Sequence, residues 1–120
     1  LSKGVVIIRS HGVGREIYEI LEHNGITVVD ATCPFVKKIH RIVKEQGEEG
    51  RRVIIVGDES HPEVQGIKGW GNDDTLVIKT AEELERLPLR DGERLCVVAQ
   101  TTFNYNKFKY LVEIISKNAL

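Results

Sequence analysis

RRVIIVGDESHPEVQG, residues 51–66, decides the fold. Its first half is a short run of β-branched side chains, Val53, Ile54, Ile55 and Val56. The run is too continuously apolar for a strand with one face in water, and it reads as a parallel strand covered on both faces. The second half leaves through Gly57 and then places an imidazole, a proline and a carboxylate at three successive positions, His61, Pro62 and Glu63. A bland turn requires none of them. Pro62 suits the first turn of a helix and stiffens the backbone, which fixes the imidazole relative to the carboxylate. The stretch therefore predicts strand, turn and short helix, with two polar groups held at the strand's carboxyl end.

The same alternation extends in both directions. Residues 4–9 (GVVIIR), 26–30 (ITVVD), 76–79 (LVIK) and 94–99 (RLCVVA) read as further strands. Between them, 14–23 carries Ile17, Ile20 and Leu21 at helical spacing and stops at Asn24-Gly25. Residues 34–46 begin with Pro34 and keep Val36, Ile39, Ile42 and Val43 on one face before Gly47. A short helix is expected over 63–68, another over 81–87 capped by Thr80, and a last one over 105–117 burying Phe108, Leu111, Val112 and Ile115. Five β-α units in succession, without repeat or linker, predict one α/β domain over 1–120. The expected architecture is a three-layer α/β/α sandwich around a mostly parallel four- to five-stranded sheet.

Composition bounds the function. The 120 residues are 41% hydrophobic and 29% charged, with 17 basic against 18 acidic side chains. That balance is ordinary for a globular protein and gives no reason to expect nucleic acid or a membrane surface as a partner. No apolar run approaches the roughly 18 residues of a membrane span. The opening Leu1-Ser2-Lys3, with no methionine and no targeting segment, is expected of a piece of a longer chain. Cys33 and Cys96 stand too far apart and in too different contexts to form a disulfide framework, so a reducing, cytoplasmic setting is expected.

Open α/β sheets bind ligands beyond the carboxyl ends of their strands. Ser10-His11-Gly12, Ala31-Thr32-Cys33-Pro34, Ser60-His61-Pro62-Glu63 and Gln100-Thr101-Thr102 all fall there. Each has a plain structural reading: His11 as a turn residue, Cys33 as a small buried hydrophobe, and one of the two threonines as cap of the last helix. Cys33, however, precedes Pro34 at an expected helix N-terminus, where the dipole favours a thiolate. Cys96 lies mid-strand and reads as core, and His23 and His40 read as solvated or packing residues. Three chemistries fit the convergent set: a phosphate or diphosphate bound by imidazoles and hydroxyls, a zinc site on Cys33 and two histidines, or a Cys-His nucleophile pair.

SHGVG around His11, DATCPFV around Cys33, HPEVQG around His61 and Glu63, and AQTT at Thr101 together resemble, in order and spacing, the central part of the 4-hydroxy-3-methylbut-2-enyl diphosphate reductase (IspH/LytB) family. The resemblance runs across nearly the whole chain and implies the middle of three related α/β domains around a 4Fe-4S cluster. It implies Cys33 as the one cluster ligand from this domain, with two more from flanking domains. It further implies His11 and His61 on the substrate diphosphate, Glu63 as proton carrier, and Thr101, with Thr102 as the alternative, at the substrate hydroxyl. An electron donor such as ferredoxin or flavodoxin is implied as partner, and the segment alone is expected to be inactive. Ser60 stands where the family often has glycine, and Phe103-Asn104-Tyr105 replaces a shorter polar turn, without loss of a functional group. The rival expectation is a stand-alone diphosphate-binding α/β module without redox chemistry.

Overall fold

In the computed structural model the described residues are 5–8, 12–25, 27–30, 32–90 and 92–119. The order is β1 (Val5–Ile8), α1 (Arg15–His23), β2 (Thr27–Asp30), α2 (Pro34–Glu48), β3 (Arg52–Val56), α3 (Pro62–Lys68), β4 (Leu76–Ile78), α4 (Ala81–Glu85), β5 (Leu95–Ala99) and α5 (Tyr105–Ala119). The alternating α/β class follows the sequence expectation, and every strand pairing described is parallel.

β3 is the axis of the larger sheet, whose order is β4-β3-β5. Successive side chains of a strand point to opposite faces, so β3 supplies two cores. Val53 and Ile55 meet Val43 of α2 and Val64 and Ile67 of α3, while Ile54 and Val56 meet Leu84 of α4 and Leu111 and Ile115 of α5. Residues 53–56 are fully buried, which is why their run lacks polar alternation. Three layers result: α2 and α3, the sheet, and α4 with α5.

Among the described residues the strands are not gathered into one four- to five-stranded sheet. Among the described residues β1 and β2 form a separate parallel pair, in register from Val5↔Thr27 to Ile8↔Asp30. A β-α pattern dictates parallel crossovers but not which strands share a ladder, and here α2 takes up the sheet face on which β5 and β3 pack. The molecule is correspondingly long, 51 × 27 × 20 Å, with a radius of gyration of 15.7 Å. A compact chain of this length would have about 13.6 Å.

Helix ends refine the expectations. α2 runs through Gly47, and the left-handed residue that stops it is Gly50, at φ +87°. α4 ends two residues early, with Thr80 accepting the Glu83 amide at 3.2 Å. The cap of α5 is Asn104, whose Oδ1 accepts the Lys107 amide at 3.0 Å, so neither Thr101 nor Thr102 is spent on capping. α1 buries Leu21, whereas Ile17 and Ile20, which share its helical spacing, are exposed. No described helix is long and apolar enough to cross a membrane.

Candidate functional site

β3 and β5 run side by side, with Val56 opposite Ala99. β3 then leads into α3 on one face of the sheet, and β5 into α5 on the other. Departure in opposite directions opens a crevice between two strand ends, the usual ligand position in such sheets. Gln100 pins the two exits together. Its Oε1 accepts the Asp58 amide at 3.0 Å and its Nε2 donates to Thr102 Oγ1 at 3.2 Å. A side chain on Gly57 would place a Cβ 2.8 Å from Gln100 Oε1 and 2.9 Å from Val64, so the glycine after β3 makes room for this bridge.

The entry to α3 fixes the next two groups. His61 is its N-cap, with Nδ1 accepting the Glu63 amide at 3.1 Å. An accepting Nδ1 places the ring proton on Nε2, which is left as a donor on an exposed side chain. Glu63, in the first turn of the helix, is 5% exposed. Both its oxygens are engaged by one residue: the Thr101 amide donates to Oε2 at 2.7 Å and the Thr101 hydroxyl to Oε1 at 2.6 Å. Burying a carboxylate is costly without such partners.

Cys33 is the N-cap residue of α2, half-buried, with a free thiol and no capping bond of its own. The helix dipole favours negative charge at that place. Cys33, Glu63, Gln100 and Thr101 line one open cleft of ≈ 820 Å³, walled on the apolar side by Val36, Ile39, Ile42, Phe103 and Phe108. That volume suits a small molecule. Cys96, by contrast, packs against the core on β5, where burial pushes its thiol pKa up.

Three sequence-predicted residues therefore share the cleft, Cys33, Glu63 and Thr101, and His61 stands beside it at the head of α3. His11 lies outside the described residues. Of the two threonines it is Thr101 that touches Glu63, while Thr102 accepts from Gln100. No group of three or more His, Cys, Asp or Glu side chains is gathered for a metal among the described residues, so the zinc arrangement on Cys33 gains no support there.

A second polar cluster was not visible in the sequence. Trp70, just after α3, stacks on His40 of α2 with ring centroids 5.5 Å apart and lies 5.6 Å from Tyr18 of α1. Tyr18 donates to Asp30 Oδ2 at 3.0 Å, and Lys37 pairs with the same oxygen at 3.3 Å. Burial alone would raise the Asp30 pKa, but hydrogen bonds from Thr32, Tyr18 and Lys37 outweigh it and hold the carboxyl at about 2. His40 is 4% exposed, and burial lowers its pKa to about 4 against the opposing pull of Asp30 and Glu63.

The LytB protein family model matches residues 1–120. Among curated relatives, the 4-hydroxy-3-methylbut-2-enyl diphosphate reductase of Caldanaerobacter subterraneus is 42% identical over 114 residues, covering 95% of this chain and 39% of the relative. That of Alkaliphilus oremlandii is 45% identical over 120 residues, covering 98% and 42%. The chain thus spans about two-fifths of the length of these relatives. A solved structure of (E)-4-hydroxy-3-methyl-but-2-enyl diphosphate reductase, described as the terminal enzyme of the non-mevalonate pathway, superposes with a TM-score of 0.81 at 40% identity, over 95% of this chain and 41% of that one. The reductase from Plasmodium falciparum superposes at 0.88 with 27% identity, over 95% and 36%. By the match of its whole length, and by relatives that share more than two-fifths of its residues, the chain belongs to the LytB protein family.

Proposed function

We propose that this chain is the central α/β part of a 4-hydroxy-3-methylbut-2-enyl diphosphate reductase, whose remaining domains come from a longer polypeptide. The reaction replaces the allylic hydroxyl of the substrate: two electrons and two protons enter, the C–O bond breaks, water leaves, and isopentenyl and dimethylallyl diphosphate result. The observation that carries the reading is the buried Glu63 carboxylate, held at both oxygens by Thr101 in the cleft that Cys33 also lines.

The donor set fits a cluster that is only partly held by this segment. Cys33 offers one soft ligand at a cleft wall, and no second thiol lines that cleft. Two further cysteines from flanking domains would complete the protein ligands. A 4Fe-4S cluster bound there, with Cys33 as this segment's ligand, would supply the electrons and Lewis-acid chemistry for loss of the hydroxyl.

The chain's own residues do the rest. Glu63 carries a proton to the leaving oxygen, and Thr101 keeps its carboxylate oriented and relays to the substrate hydroxyl. His61, with Nδ1 committed to the α3 amide, presents Nε2–H to the diphosphate, and His11 is the second imidazole for that anion. The apolar wall of Val36, Ile39 and Phe108 gives the hydrocarbon part of the substrate a dry surface. The electron donor is a small cytoplasmic redox protein such as ferredoxin or flavodoxin.

The test is a pair of variants in a full-length reductase carrying this segment. Cys33→Ala should lose the iron and the cluster's visible absorption. Glu63→Gln should keep both while turnover falls by about 10²- to 10⁴-fold. Iron retained in the first variant, or lost in the second, reverses the assignment of ligand and proton carrier.

A further inference from the structure

We propose that Gln100 is a positioning residue for proton delivery, acting through the two turns that carry Glu63 and Thr101. The inference rests on the reading of Glu63 as proton carrier and extends it to what keeps that carboxylate and its threonine in register. Gln100 is 7% exposed, lines the same cleft and stands directly before Thr101, just beyond β5. Each of its polar atoms is engaged, and together they reach both strand exits.

Its amide donates to the Val56 carbonyl at 2.9 Å, which carries the β3–β5 pairing one bond past the strands. Its carbonyl accepts the Phe103 amide at 2.9 Å and its Nε2 donates to Thr102 Oγ1 at 3.2 Å, so the turn over 100–103 is closed twice, with Thr101 inside it. Its Oε1 accepts the Asp58 amide at 3.0 Å. Asp58 opens the other turn. Its carbonyl accepts the His61 amide at 3.0 Å, and its Oδ1 accepts the Ser60 amide at 2.9 Å and the Ser60 hydroxyl at 2.7 Å. His61 Nδ1 then accepts the Glu63 amide, and the Glu63 carboxylate accepts from Thr101 at both oxygens. The path from Gln100 through Asp58, His61, Glu63 and Thr101 therefore ends where it begins, as a closed ring of hydrogen bonds and backbone. Among the described residues, the hydrogen bonds that join 57–63 to 100–103 are those of Gln100 with Asp58 and of Thr101 with Glu63. Deleting the first leaves the reacting pair to hold the two turns together by itself, and a displacement of about 1 Å in a reacting group is costly in rate.

The experiment is a double-mutant cycle in a full-length reductase carrying this segment. Gln100→Met keeps the length of the side chain and deletes both polar ends. It should lower kcat about 3- to 20-fold, the range for one or two net hydrogen bonds, with KM and iron content within about twofold of the parent. In a Glu63→Gln background the same change should lower kcat no further, because the two act through one path. An unchanged kcat in Gln100→Met, or an equal fall in both backgrounds, overturns the proposal, since a glutamine that only completes the fold acts alike in both. If Gln100→Met does not fold, Gln100→Asn is read by the same outcomes: it keeps the amide group but is one methylene too short to reach Asp58 and Thr102 together. If Glu63→Gln itself turns over at the parental rate, the proton-carrier reading fails instead. Gln100 is then judged on hydrogen exchange of the Thr101 amide, faster in Gln100→Met if the bridge positions that residue and unchanged if it does not.

Discussion

Thr101 holds both oxygens of Glu63, one through its amide at 2.7 Å and one through its hydroxyl at 2.6 Å, although the two residues are 38 positions apart. The pairing exists because β3 and β5 are adjacent parallel strands, so the first residues beyond Val56 and Ala99 emerge at one edge. It fixes the carboxylate in rotation as well as position. If Glu63 is the proton carrier proposed for it, this hold would present the same oxygen to the cleft at every turnover.

The hydroxyl and the amide separate cleanly by substitution. Thr101→Val deletes the 2.6 Å bond and keeps the backbone one, whereas Thr101→Ser keeps both donors. A hydrogen bond to a charged group contributes about 1.5–3 kcal/mol. In a full-length reductase, Thr101→Val should lower turnover about 10- to 100-fold with iron content unchanged, and Thr101→Ser should recover most of it. Equal activity in the two variants would remove the hydroxyl from the proton path.

His40 should make stability acid-sensitive in a defined window. Burial, the largest influence, lowers its pKa from 6.5 to about 4 in the folded chain. Between those values the unfolded chain binds a proton that the folded one refuses. Stability is therefore full above pH 6.5 and falls as pH drops toward 4, by up to about 3 kcal/mol. Asp30, lowered from 3.8 to about 2, adds a second loss only below pH 3.8. Urea unfolding of this chain at pH 7, 5, 4 and 3 should show both losses, and His40→Gln should abolish the upper one while leaving the Asp30 phase below pH 3.8. An identical decline in His40→Gln would place the acid sensitivity elsewhere.

Much of the site was legible because its residues sit in local grammar. Val53 to Val56 announce a strand buried on both faces, Pro62 announces the start of α3, and the polar groups beyond them fall at a strand end by default. What the sequence could not express was partnership. Nothing in AQTT says that Thr101 rather than Thr102 meets Glu63, since the choice depends on which way Gln100 turns to bridge the two strand exits. His40 reads as an ordinary packing or solvated helix residue until Gly12 is seen against its ring. The separate β1–β2 pair was equally hidden, because ladder neighbours are set by long-range packing and not by the order of elements.

The segment by itself should not assemble the cofactor proposed for the whole enzyme. Cys33 is the one thiol on the cleft, and Cys96 is committed to the core with its pKa pushed up by burial. Incubating this chain anaerobically with iron and sulfide, followed by desalting, should leave less than one cluster per chain and no defined visible spectrum. Iron in a fixed ratio of four per monomer would show that the ligand count assigned to this segment is wrong.

The proposed function gives His61 two jobs on two nitrogens, and they can be parted. Nδ1 caps α3 by accepting the Glu63 amide at 3.1 Å, while Nε2–H is the donor proposed for the diphosphate. His61→Ala removes both, so it should cost about 1 kcal/mol of stability for the lost cap as well as substrate affinity. Asparagine is a good N-cap, and its Oδ1 can take the place of Nδ1, but its side chain ends short of the Nε2 position. In a full-length reductase, His61→Asn should melt close to the parent while KM rises about 10- to 100-fold, the range for a lost charge-assisted hydrogen bond. A KM that follows thermal stability across Ala and Asn would mean that His61 acts only by shaping the start of α3. A high KM on a stable Asn variant would instead locate the anion contact on Nε2.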